Sequence, residues 1–100
     1  MNEPINNAID FLKIIRTQPE VIIRFIKKDK TIRMMKCTLQ FDLIPKIKQP
    51  KKVDLAAILN LVKQNILRVF DLEKKEWRSI PYDRVEYLET PTKERFYIKK

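Results

Sequence analysis

The sequence predicts an α+β, mainly β chain: a small barrel of about five strands, with an N-terminal helix and a short second helix before the third strand. Three observations predict it. Ile66–Asp71 and residues 76–80 are runs rich in β-branched and aromatic residues flanking the polar residues 72–75, the layout of a hairpin with a four-residue loop. Pro81 has no ladder N–H to give, and Tyr82, Asp83 and Arg84 then turn the chain into a third run, residues 85–88. Residues 20–28 and 31–39 supply an earlier hairpin of alternating apolar and polar side chains.

Taken in order, residues 4–17 form the first helix. Pro4 suits its first turn, and Ile5, Ala8, Ile9, Leu12 and Ile15 recur at helical spacing, widened by Phe11 and Ile14. Pro19 biases Gln18 out of the α region and ends it. The helix caps an open end of the barrel, or its wide apolar stripe docks a partner. Residues 20–45 and 65–89 form the barrel. In residues 20–28, Val21, Ile23 and Phe25 share one face, and Ile22, Arg24 and Ile26 the other, which the N-terminal helix is expected to cover. In residues 31–39, Ile32 and Met34 fall on the opposite parity from Met35, Cys37 and Leu39, which predicts a bulge near Met34 or a sharp bend. Residues 41–45 form an apolar turn expected to plug the barrel. Residues 46–64 are an insert: a basic, Pro-containing loop, then a helix capped by Asp54 with Leu55, Ile58, Leu59 and Val62 on its stripe. Residues 90–100 are a tail whose Arg95–Ile98 stretch offers an extra strand.

Composition narrows function. One hundred residues make one domain. No histidine is present, removing the usual general base and commonest metal ligand. No glycine is present, so Gly-rich phosphate loops are absent and turns rest on Asn, Asp, Pro and Lys. Asp71, Glu73 and Glu76 are interleaved with Lys74, Lys75 and Arg78, as in a solvated loop, and no Cys/His/Asp spacing suggests a metal. The expectation is therefore no enzyme, no cofactor and no metal. Cys37 has no disulfide partner and suits a small buried hydrophobe. With no apolar run near the ~18 residues of a membrane span and no signal-peptide pattern, a cytosolic, membrane-free location is expected.

The net charge of +9 is concentrated: residues 21–53 carry ten Lys/Arg against two Asp/Glu. Lys27, Lys28, Lys30, Arg33 and Lys36 lie on one hairpin, with Lys28 and Arg33 expected to be neighbours across its turn; Lys46, Lys48, Lys51 and Lys52 lie on the next loop. Such a surface suits phosphate neutralisation, and lysines favour point-charge contact over base reading, so binding should be weakly sequence-specific. The alternative is that they only keep the protein soluble. Arg78 alternates with Trp77 and should join Arg68 on the same face. Trp77, Tyr82 and Tyr87 are the candidate stacking platforms, against core or rim packing for Trp77 and turn closure for the tyrosine hydroxyls.

Residues 25–39 (FIKKDKTIRMMKCTL), 42–45 (DLIP) and 66–89 (ILRVFDLEKKEWRSIPYDRVEYLE) together resemble a family of small tailed-phage proteins with an Sm-like SH3 β-barrel, distantly related to WYL domains. The firmest points are Met35, Cys37, Thr38 and Leu39, then Val69, Asp71, Trp77, Arg78 and Ser79. Asp29-Lys30 stands where the family usually has Asp-Gly, which implies a different turn, and Pro81 stands where a further Arg is common. The resemblance implies an SH3/Sm-type fold and a phage origin; with the cytosolic location expected from composition, the expected place is the host cytoplasm. It leaves function open, because such barrels host nucleic-acid binding, peptide binding and ring assembly. The expected partner is nucleic acid or a nucleotide-like anion; the alternatives are an acidic host protein, or further copies in a homo-oligomer or virion.

Overall fold

A computed structural model describes residues 3–50 and 55–99. The elements are helix α1 (Ala8–Thr17), strands β1 (Val21–Ile26) and β2 (Ile32–Thr38), 3-10 turns Phe41–Leu43 and Lys46–Lys48, helix α2 (Leu55–Lys63), strands β3 (Ile66–Asp71) and β4 (Glu76–Pro81), 3-10 turn Tyr82–Arg84, and strands β5 (Val85–Glu89) and β6 (Arg95–Tyr97). The strands form one antiparallel sheet in the order β4-β3-β2-β1-β5-β6. Inward residues of five strands, among them Ile23, Met35, Val69, Ile80 and Leu88, share one core cluster, so the sheet wraps around a common interior. The predicted hairpin 66–80 stands with its four-residue loop, and the tail supplies β6 on the outer edge of β5.

Helix α1 begins later than its periodicity predicts. Asn7, not Pro4, starts it: the Asn7 side chain accepts from the Asp10 N–H at 2.9 Å, a cap that proline cannot make. Ile5 is extended instead, bridging Ile98 in parallel, with its N–H donating to Tyr97 O and its carbonyl accepting from Lys99 N. Most of the wide apolar stripe is spent inside the molecule, although Ile9 stays exposed. Ala8, Phe11 and Ile15 are buried in the core, with Leu12 and Ile14 packed against it. Complete burial of a side chain such as Phe11 contributes about 1.5–3 kcal/mol. Helix α1 thus joins the Val21–Ile23–Phe25 face of β1, and Ile22 and Ile26 lie half-buried outside that cluster, contrary to expectation.

Strand β2 has no bulge at Met34. Its register with β1 runs unbroken from Ile26↔Ile32 to Val21↔Cys37, and the irregularity lies instead in β1 against β5, between Arg24 and Phe25. Ile32 and Met34 simply point outward, 51% and 46% exposed. In the turn at residues 41–45 only Ile44 is buried; Phe41 and Leu43 stay exposed, so one side chain and not the whole turn fills the interior. Helix α2 packs on the core through Val62, while Ile58 and Leu59 remain exposed. Asp54, its predicted cap, lies outside the described residues.

The β1–β2 turn explains one departure from the family pattern. Asp29 Oδ1 accepts from both the N–H and the hydroxyl of Thr31, and Lys30 has φ 70°, a left-handed conformation that glycine favours. A lysine occupies this left-handed position. Because a side chain there is disfavoured by about 1–2 kcal/mol, Lys30→Gly is expected to raise stability by about 1 kcal/mol in urea unfolding.

Candidate nucleic-acid interface

Because β2 and β3 are antiparallel and meet only at Cys37↔Asp71 and Thr38↔Phe70, the β1–β2 tip projects past the β3–β4 turn at the same end of the sheet. Lys27, Lys28 and Lys30 are exposed on that tip. Lys36 is exposed on the outward face about 20 Å along the strand from Lys30, at ~3.3 Å per residue. Beyond it, Phe70 and Trp77 pair across β3 and β4 on the same face, ring centroids 5.6 Å apart. Trp77 Nε1 donates to the Lys48 carbonyl at 2.7 Å, which pins the turn bearing Lys46 and Lys48 over this part of the sheet. The result is a basic stripe from tip to turn rather than a single cluster, and Lys36 within it also pairs with Glu20 at 3.8 Å. Lys51 and Lys52 lie outside the described residues.

Register decides the arginines. Arg68 faces Ser79, and Val69 faces Arg78, so Arg68 and Arg78 lie on opposite faces, not together. Arg68 donates to Ser79 Oγ at 3.0 Å and lies over the Trp77 ring, 5.8 Å from its centroid. Arg33 sits opposite Phe25, away from Lys28, and its guanidinium donates to Asp71 Oδ2 at 2.6 Å. Arg78 pairs with Glu76 at 3.2 Å; its buried Nε, 3.9 Å from Asp71 Oδ2, is too far for a hydrogen bond. Arg33 and Arg78 are therefore engaged inside the fold, because the inward parity of their strands brings them to one buried acid.

That acid is Asp71, which the sequence reading treats as part of a solvated loop. Its side chain is 0% exposed, and Oδ1 accepts from the N–H groups of Glu73 and Lys74 at 2.9 and 3.0 Å. Burial pushes its carboxyl up, but the Lys74 N–H, the Arg33 guanidinium and the Glu73 N–H outweigh that and hold it below the usual carboxylate range. An aspartate opening a four-residue turn is the signal that could have revealed it. Lys75 lines a shallow cleft with Phe70, Leu72 and residues 42–45.

The tyrosines do not present faces to a base. Tyr82 is buried edge-on against Phe11, its hydroxyl 3.4 Å from the Ile5 carbonyl; burial, then the Asp10 and Asp83 charges, push it up. Tyr87 is buried between Tyr97 and the Arg95 guanidinium, 4.6 Å from its ring centroid. Trp77 remains, half-buried at the rim. Cys37 is buried, and desolvation with the nearby Asp71 charge pushes its thiol up, which keeps it inert. Among the described residues no group of three or more His, Cys, Asp or Glu could hold a metal ion, and no helix is long and apolar enough to cross a membrane.

The Trp77–Lys48 bond can be tested alone. Trp77→Phe keeps a ring against Phe70 but removes the donor, and is expected to lower stability by about 1 kcal/mol in urea unfolding followed by circular dichroism.

No curated protein and no solved structure matches this chain. Residues 9–85 match the family described as WYL_2, Sm-like SH3 beta-barrel fold. The match runs from the second residue of α1 to the first of β5, and so takes in most of the core, the Asp71 turn and the basic stripe, while Ile5, Ala8 and Leu88 of the core lie outside it. The chain belongs to the WYL_2 family of Sm-like SH3 β-barrels.

Proposed function

We propose that this protein binds nucleic acid without catalysing a reaction on it, along the stripe from the β1–β2 tip through Lys36 to the Lys46–Lys48 turn. The observation that carries this reading is the exposed lysines of the β1–β2 tip, Lys36 on the outward face and the Lys46–Lys48 turn pinned by Trp77, with Arg68 beside it at the far end. Lysines on a stripe neutralise successive phosphates without selecting sequence. Arg68 occupies the position over the indole that a base would take, so a base would stack on the guanidinium plane, extending the ring stack outward. Such a binder suits a phage product acting in the host cytoplasm.

The test is a titration with a single-stranded oligonucleotide, read through the fluorescence of Trp77, the chain's single tryptophan. Affinity should fall linearly with salt on logarithmic axes, by about 0.7 per neutralised phosphate. Equal affinity for polyglutamate, or no binding at low salt, overturns the reading.

A further inference from the structure

We propose that the edge of β2 at Ile32 and Met34 docks an extended acidic–apolar segment of a partner protein, which adds to the sheet alongside β2 where β3 leaves it. Backbone parity defines the site. The Lys36 carbonyl accepts from the Leu72 N–H at 2.9 Å, so the even-numbered residues of β2 aim their backbone groups toward β3. The Lys36 N–H already finds no backbone there and meets Glu73 Oε1 at 3.4 Å. Among the described residues, β3 pairs with Cys37 and Thr38 and ends at Asp71, its last backbone bond to β2 being that of Leu72 to Lys36, which leaves the N–H and C=O groups of Ile32 and Met34 without a strand beside them. An edge of this kind is a template for an added strand.

Side chains specify the occupant. Ile32 and Met34 form an outward apolar row with the half-buried Ile26 of β1. Exposed lysines bound it, with Lys28 and Lys30 at one end and Lys36 at the other. A second copy pairing antiparallel about residue 33 would set Lys30 against Lys36 and Arg33 against Arg33, like charges directly opposite. A partner strand with two apolar residues at alternate positions and carboxylates at both ends fits row and charges together. Its backbone exchanges hydrogen bonds with the peptide groups of Ile32 and Met34, so this inference does not depend on nucleic-acid binding.

The probe is the end-capped peptide Glu-Glu-Val-Thr-Val-Glu-Glu, compared with the same peptide N-methylated at both valines, which keeps charge and side chains but loses the ladder donors. Amide hydrogen exchange is followed on the full chain. The unmodified peptide is expected to slow exchange at Ile32 and Met34, while Arg33 and Met35, already bonded to β1, change little; N-methylation should weaken binding by about tenfold or more. Equal binding of the two peptides reduces the site to charge attraction and overturns the proposal. So does absence of binding, or protection of the two amides that rises with protein concentration alone, which assigns the edge to a second copy.

Discussion

Replacing Asp71 with alanine is expected to destabilise the protein by about 3–5 kcal/mol, because it leaves Arg33 without its partner and two turn N–H groups without an acceptor. Against a total of about 5–10 kcal/mol for a chain of this size, that removes about a third or more of the stability. Asp71→Asn keeps an oxygen for the Glu73 and Lys74 N–H groups and loses the charge facing Arg33, so its loss should be about 1.5–3 kcal/mol. Urea unfolding of the three proteins orders them. Acid provides a second measurement. The folded Asp71 carboxyl lies below its unfolded value, so its contribution is complete above the unfolded value of about 3.9 and drains away as pH falls through the lower folded one. Asp29, held low by the Thr31 hydroxyl and N–H, titrates in the same direction. The stability of Asp71→Asn should therefore decline less steeply below about pH 4 than that of the parent chain, with Asp29 keeping some slope.

Asp71 also marks where sequence legibility stops. The hairpin from Ile66 to Pro81 is local: its strands and loop follow from alternation and a short connection, and the sequence shows them directly. The same holds for the alternation of Val21, Ile23 and Phe25 into the core. The hairpin's register, which sends Arg68 and Arg78 to opposite faces, is not shown by the sequence. What sequence cannot show is which distant element meets which face. Arg33 and Arg78 look like surface cations until the inward parity of β2 and β4 brings both to one carboxylate across the β2–β3 junction. Tyr82 looks like a corner tyrosine until Phe11 of α1 lands against its ring. Ile5 continues a helical stripe on paper, but Asn7 offers a better cap and the edge of β6 offers Ile5 a backbone partner, so tertiary pairing overrides periodicity. Trp77 is the converse case: its parity opposite Arg78 was readable, whereas its bond to Lys48, 29 positions away, was not.

Reversing the charge of Lys27, Lys28 and Lys30 to glutamate should affect nucleic-acid retention more than any other surface change, with little effect on stability. All three are exposed, and among the described residues none of their side chains forms an ion pair. If each neutralises one phosphate, neutral replacements reduce the salt slope by about three times 0.7 for a single strand, and glutamates add repulsion to that loss. Lys46→Glu with Lys48→Glu samples the other end of the stripe. Because Lys48 meets Trp77 through its backbone carbonyl, these changes leave that bond in place and remove only the cations. Arg68→Ala then separates stacking from charge: it removes the guanidinium over the indole and should weaken single-stranded more than double-stranded binding. A stripe requires the two lysine groups to act on one ligand. Their losses should therefore add for an oligonucleotide long enough to span the roughly 20 Å between Lys30 and Lys36 and continue to Trp77, and for a di- or trinucleotide only one group should matter. If both groups weaken the short ligand equally, the cations act as a diffuse cloud and the stripe has no directional role.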